Sequence, residues 1–85
     1  MAEQLDFKEL QELAAEILGT EPDHVQLDVS FARDLAADSL DLVELIAAVE
    51  DKYDVALSEE ELARMKKVGD LWAFLTERAV EKAGA

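Results

Sequence analysis

The sequence contains no cysteine and a single histidine, His24, so it has few groups suited to metal binding or covalent catalysis. Without a thiol the chain forms no disulfide and supplies no sulfur nucleophile of its own. His24 lies beside Pro22 in a polar turn, where a lone histidine is far more often a surface residue than a ligand or a base. We therefore predict no metal site and no thiolate chemistry from the protein itself.

Long apolar runs are missing as well. No stretch approaches the roughly 20 apolar residues that span a bilayer, and the N-terminus lacks the basic and apolar regions of a secretion signal. With 51% hydrophobic residues, the chain is nevertheless too apolar to be disordered. We predict one soluble, cytoplasmic domain over residues 1–85, because a chain of this length leaves no room for a second core.

Basic residues are scarce: 8 oppose 21 acids, which gives a net charge of −13. Between Asp34 and Glu61 there are ten acids and one base, Lys52. Such a charge repels nucleic acid and anionic membranes, and it favours proteins that carry basic patches. We expect a monomer that binds protein partners, with no nucleic acid and no membrane among them.

Apolar residues recur at three- and four-residue steps along much of the chain, which indicates amphipathic helices. The first helix is capped by Asp6, with Glu9 expected to complete a capping box, and it ends at Gly19 in a left-handed conformation. The second helix is predicted from Ser39 to about Tyr53.

Two further helices follow. Ser58 and Glu61 form another capping box that begins a short helix, and the last helix lacks a good side-chain cap because Lys67 stands at that place. Residues 20–37 form a long connection that is expected to be anchored by its apolar residues, Val25, Leu27, Val29, Phe31 and Leu35. The sequence therefore predicts an all-α fold, a small four-helix bundle of three principal helices and one short helix with a long first loop.

The start of the second helix contains a serine that capping does not explain. Asp38 is a good N-cap and Asp41 completes a capping box with it, which puts Ser39 at the first helical position with its hydroxyl toward water. A hydrolytic serine would need a base and an oxyanion hole, but His24 is the sole histidine and no Gly-x-Ser-x-Gly elbow is present. The residues alone leave two interpretations, a plain helix start or a serine that another enzyme modifies.

The second helix also has an apolar strip that the core does not require. Its core sector holds Leu42, Leu45, Ile46, Val49 and Tyr53, whereas a separate strip holds Leu40, Val43 and Ala47 beside acids at 41, 44 and 51. This face is either an ordinary solvated surface or a docking surface. Glu44 and Asp51 favour docking, because they lie beyond the first turn and gain little from the helix dipole.

The segment from Leu35 to Leu45, with Asp38-Ser39-Leu40 at its centre, resembles the serine motif of acyl carrier proteins. The match extends over nearly the whole chain, including residues 31–35 and 68–71. The resemblance implies that Ser39, next to Asp38, carries 4′-phosphopantetheine through a phosphodiester. It further implies that the thiol of the arm holds acyl groups as thioesters for fatty-acid or polyketide synthesis, and that the carrier is not itself an enzyme.

The resemblance also implies which enzymes the carrier meets: a phosphopantetheinyl transferase, and acyltransferases, ketosynthases and related enzymes with basic patches. By position, their contacts would be Leu40, Asp41, Val43, Glu44, Ala47, Glu50 and Asp51. The competing interpretation is an acidic helical adaptor in which Ser39 is never modified.

The chain departs from this family pattern at a few positions. Ala36 stands where these carriers commonly have glycine, so the loop backbone is expected to be less free there. Leu42, Leu62 and Leu71 are larger than the residues that fatty-acid carriers often have, which predicts a narrow space between the last three helices. We expect such a carrier to shelter short acyl chains or none.

Overall fold

The computed structural model describes residues 5–84, and it describes their side chains as far as residue 78. Four α-helices follow one another: α1 (Phe7–Leu18), α2 (Ser39–Tyr53), α3 (Glu59–Ala63) and α4 (Val68–Gly84). A 3-10 turn, Pro22–His24, lies between α1 and α2. Three principal helices, one short helix and a long first connection confirm the predicted all-α fold. No helix in the described part of the chain is long and apolar enough to cross a membrane.

One apolar core lies between α1, α2, α4 and the long connection. Its members are Leu10, Ala14, Ala15, Val25, Phe31, Leu35, Ala37, Leu45, Ile46, Val49, Met65, Val68, Leu71, Phe74 and Leu75. The predicted core sector of α2 is confirmed for Leu45, Ile46 and Val49, while Leu42 and Tyr53 are half-buried at its edge. Burial of this sector fixes the rotation of α2 and leaves its remaining faces in solvent.

The long connection between α1 and α2 is anchored mostly as predicted. Val25, Phe31 and Leu35 are buried and Val29 is half-buried. Leu27 is 48% exposed, so the expectation that its side chain anchors the segment is wrong. Its backbone is held instead, because the Leu27 carbonyl oxygen accepts a hydrogen bond of 2.8 Å from the backbone N–H of Gly69.

The connection pairs with the segment that leads into α4. The Phe31 N–H donates to the Lys66 carbonyl at 3.0 Å, and the Val68 N–H donates to the Val29 carbonyl at 2.9 Å. A Cβ at residue 69 would stand 2.8 Å from the Leu27 carbonyl oxygen, so glycine permits the close approach of the two backbones. These bonds tie the connection that precedes Ser39 to the segment that leads into α4.

Side-chain caps define most of the helix starts. Ser58 and Glu61 form the predicted capping box of α3. At α1, Asp6 accepts from the Lys8 N–H at 3.0 Å and no capping box forms, so the expected role of Glu9 is wrong. The Glu9 carboxylate lies 3.8 Å from the Lys52 ammonium group instead.

The start of α4 is capped from inside the helix. Asp70 Oδ2 accepts the backbone N–H groups of Lys66 at 3.0 Å and of Lys67 at 2.9 Å. Asp70 was not predicted as a cap, because a cap was expected before the helix, whereas this acid reaches back from the first turn as in the second half of a capping box.

Replacing Glu61 by glutamine should reduce stability in a pH-dependent way. The Ser58 N–H donates to the Glu61 carboxylate at 2.9 Å and the Arg78 guanidinium lies 2.8 Å from it, which together hold the pKa of Glu61 below its ordinary value of 4.5. A carboxylate with a depressed pKa stabilises the fold at pH values above its ordinary pKa. This contribution is lost as the pH falls through the folded-state pKa. In urea unfolding, wild type should therefore have a larger free energy of unfolding than Glu61→Gln above about pH 4.5, and this gap between the two proteins should close at lower pH. A gap that stays constant into acid would contradict this role.

Candidate functional site

Ser39 is the first residue of α2, and its neighbours hold the start of the helix. The Asp41 N–H donates to Asp38 Oδ1 at 2.8 Å, and the Asp38 N–H donates to Asp41 Oδ2 at 3.3 Å. This is the predicted capping box, so both acids cap the N-terminal start of the helix. Ser39 itself is exposed, and its hydroxyl makes no hydrogen bond with any residue in the described part of the chain. The hydroxyl is available to a reagent from outside.

The loop before Ser39 is closely held. Ser30 Oγ accepts the Arg33 N–H at 3.1 Å, and the Ser30 N–H donates to Asp34 Oδ2 at 2.8 Å. The Ala37 N–H donates to the Phe31 carbonyl at 2.9 Å. Because Phe31 is buried in the core, these bonds anchor the loop before Ser39 on the core. Ser39 therefore does not follow a free linker.

Ala36 adopts a left-handed backbone conformation, with φ of 55°. Glycine adopts this conformation freely, whereas a side chain with a Cβ is strained in it by roughly 1–2 kcal/mol. The departure from glycine noted in the sequence therefore falls at a position whose geometry favours glycine.

Ala36→Gly should raise the free energy of unfolding by about 0.5–1 kcal/mol, since relief of 1–2 kcal/mol of strain is partly offset by the greater entropy of glycine in the unfolded chain. Ala32→Gly is the matched control in the same loop: residue 32 is exposed and its φ is not positive, so there glycine should destabilise. Urea midpoints measure both. Equal losses in the two variants would show that Ala36 is not strained.

A groove of about 330 Å³ adjoins Ser39. We call it the Ser39 groove; residues that line it include Phe31, Ala37, Ser39, Leu42, Leu62 and Met65. Leu42 and Leu62 line it, but Leu71, which was expected to narrow the same space, lies in the core at 1% exposure and does not line it. Lys66 also lines the groove. Lys66 was not among the predicted site residues, although a basic residue in a strongly acidic chain is a signal for it.

The apolar strip on α2 is exposed in the structure. Leu40 is 69% exposed and Val43 50%, and Ala47 is exposed in the same helix. Glu44 and Asp51 are exposed acids of this helix, free of the capping that occupies Asp41. A shallow apolar surface with carboxylates beside it thus starts at Ser39 and continues along α2.

Glu50 differs from the other predicted contact residues. It is half-buried, and its Oε2 accepts the Leu57 N–H at 2.9 Å. That hydrogen bond holds the segment between α2 and α3, which leaves Glu50 less available to a partner than Glu44 or Asp51.

The remaining candidates for chemistry lie elsewhere. His24 is exposed, and its Nδ1 is 3.2 Å from Thr20 Oγ1; it does not line the Ser39 groove. Within the described residues no group of His, Cys, Asp and Glu is placed to hold a metal ion. The geometry offers a reachable serine with no histidine among the residues that line its groove, which suits a site of attachment better than a site of catalysis.

Comparison with known proteins agrees with this geometry. A family model described as a phosphopantetheine attachment site matches residues 8–75. The acyl carrier protein of Rhodococcus erythropolis is 42% identical over 77 residues, which cover 91% of this chain and 85% of its own. Those of Bdellovibrio bacteriovorus and Sulfurovum sp. are 38% and 39% identical over 69 residues, covering 81% of this chain and 88% and 92% of theirs.

These matches define a phosphopantetheine-binding carrier with a helical fold. The chain belongs to the acyl carrier protein family, whose cofactor is 4′-phosphopantetheine. The residues present fit this group, because an exposed hydroxyl without a hydrogen-bond partner lies beside a groove at the start of α2.

Proposed function

We propose that residues 1–85 act as one carrier domain in which Ser39 bears the phosphopantetheine arm. The exposed, unbonded hydroxyl of Ser39 at the start of α2 supports this assignment. In the attachment step Ser39 Oγ bonds to the pantetheine-side phosphorus of coenzyme A and the pyrophosphate bond breaks. The leaving group is 3′,5′-adenosine bisphosphate, and a transferase accepts the hydroxyl proton. The thiol of the arm then holds acyl groups as thioesters and brings them to enzymes of fatty-acid or polyketide synthesis.

The chain itself contributes presentation rather than catalysis. It has no cysteine, so the thiol has to come with the cofactor. A flexible arm on a small domain converts each later reaction into a local encounter, which raises the effective concentration of the acyl group at each enzyme. Binding has to stay reversible, and screened surface charges favour rapid association without a large apolar interface.

We assign docking to the exposed face of α2, where Leu40, Val43 and Ala47 accompany Glu44 and Asp51. The partners in this proposal are a phosphopantetheinyl transferase and acyl-processing enzymes, among them acyltransferases and ketosynthases, with basic patches. Asp41 and Glu50 contribute charge to the same face, but each also accepts a backbone hydrogen bond that keeps the helix or its exit in place.

The double variant Glu44→Lys/Asp51→Lys should load at least tenfold more slowly with phosphopantetheine, measured as kcat/KM of a transferase at low salt, because charge complementarity raises association rates by 10–10³. The matched control is Glu12→Lys/Glu16→Lys, which makes the same charge change at exposed positions of α1. The control should stay close to wild type. Equal slowing in both double variants would mean that net charge, rather than this face, guides docking.

The alternative function is an acidic adaptor with unmodified Ser39. Incubation with coenzyme A and a promiscuous transferase, followed by intact mass measurement, separates the two. A carrier gains one phosphopantetheine. An adaptor gains nothing although its helices are intact by circular dichroism.

A further inference from the structure

The strongly acidic chain has a lysine at the candidate attachment site. Lys66 lines the Ser39 groove together with Ser39 and Asp38. Its side chain is exposed, and its ammonium group makes no ion pair with the carboxylates described between residues 5 and 78. Lys52 and Arg78, by contrast, are paired with Glu9 and Glu61. No ion pair within the described residues accounts for the ammonium group of Lys66.

The backbone of Lys66 is fixed although its side chain is not. Its carbonyl accepts the Phe31 N–H at 3.0 Å, and its N–H donates to Asp70 Oδ2 at 3.0 Å. The part of the Lys66 side chain next to the backbone is therefore held between the long connection and the start of α4, where it lines the groove. The flexible stem of lysine can lie along an apolar wall while its charged end moves in solvent.

A phosphodiester on Ser39 would create an electrostatic problem that Lys66 can relieve. The phosphate adds a negative charge between Asp38 and Asp41, in a chain whose net charge is already −13. The start of α2 offers about half a positive charge, with an effect that fades within one turn. Lysine supplies a full positive charge and binds phosphate as a point charge on a flexible stem.

We propose that Lys66 is a positioning residue for the cofactor: its ammonium group pairs with the phosphodiester on Ser39 and holds the first part of the arm over the Ser39 groove. This inference rests on the proposed attachment at Ser39. The pair forms in solvent, so it weakens as salt is added.

The neighbouring lysine provides a matched control. Lys66→Gln and Lys67→Gln make the same change in net charge, and both residues donate their backbone N–H groups to Asp70, which either substitution keeps. Lys66 lines the groove, whereas Lys67 does not. Lys66→Arg retains the positive charge and serves as a rescue variant.

The four proteins (wild type and the three variants) are loaded from coenzyme A, checked by intact mass, and compared by ³¹P NMR of the phosphodiester from low to high salt. We expect wild type, Lys67→Gln and Lys66→Arg to share a resonance that moves with salt. The Lys66→Gln resonance should stay at the high-salt position throughout. The apo forms of the four proteins should unfold alike in urea, because both lysine side chains are exposed.

The outcomes separate the two proposals. Normal loading with a Lys66→Gln resonance that moves with salt as in Lys67→Gln overturns the role of Lys66 and leaves the attachment intact. Absence of loading in all four proteins, or loading that persists in Ser39→Ala, overturns the attachment and the role of Lys66 with it.

Discussion

Replacing Ser39 by alanine should abolish loading with phosphopantetheine and leave the fold unchanged. The hydroxyl is the atom that forms the phosphodiester in the proposed function, and no other group at the start of α2 can replace it. The side chain is exposed and makes no hydrogen bond in the described part of the chain. Exposed substitutions of this kind usually change the free energy of unfolding by within about 0.5 kcal/mol. The capping acids Asp38 and Asp41 remain in place.

Ser58→Ala is the control with the opposite pattern. Ser58 Oγ accepts the Glu61 N–H at 3.1 Å and caps α3, so its loss should cost about 1 kcal/mol of stability. It does not line the Ser39 groove, and loading should continue at the wild-type extent. Intact mass is measured after incubation with coenzyme A and a transferase, and stability is measured by urea unfolding. Ser39→Ala should lose loading and keep its stability, whereas Ser58→Ala should lose stability and keep loading.

Two results would contradict the assignment. A mass gain that persists in Ser39→Ala would locate the attachment at another residue. Loss of loading accompanied by loss of helical circular dichroism would show that Ser39 acts in folding instead.

Local sequence signals predicted the helices and the position of the serine well. The capping boxes at Asp38 and Ser58 depend on residues three apart, so they can be recognised without knowledge of the rest of the fold. The same holds for Gly19, whose left-handed φ of 69° ends α1 as expected. Exposure of Ser39 also followed from local reasoning, because capping was already assigned to its neighbour.

Features that depend on distant contacts were not predictable in this way. The side chain of Leu27 was expected to anchor the long connection, but the segment is held through its backbone by Gly69, 42 positions later in the sequence. The groove is formed by three separate parts of the chain, so neither its volume nor the presence of Lys66 could be derived from periodicity. Glu9 was expected to cap α1, but its carboxylate lies 3.8 Å from the ammonium group of Lys52, a residue of another helix that no local pattern reveals.

Phe31→Ala should be the most destabilising single truncation among the residues that position the site. Its side chain is 2% exposed, and truncating a buried phenylalanine typically costs about 3–5 kcal/mol. An 85-residue domain has a total stability of about 4–13 kcal/mol, so this single change consumes a large part of it. The midpoint of urea unfolding, followed by circular dichroism, should fall accordingly.

The effect should reach the site because Phe31 connects it to the rest of the bundle. Its N–H donates to the Lys66 carbonyl and its own carbonyl accepts the Ala37 N–H, two residues before Ser39. Phe7→Ala is the control: Phe7 is half-buried against Trp72, with ring centroids 5.2 Å apart, and it lies outside the Ser39 groove. We expect Phe7→Ala to lose less stability and to load normally. Phe31→Ala, while still folded at low temperature, should load more slowly because the loop that presents the serine has lost its anchor. Equal loading rates in the two variants would show that the position of Ser39 does not depend on this packing.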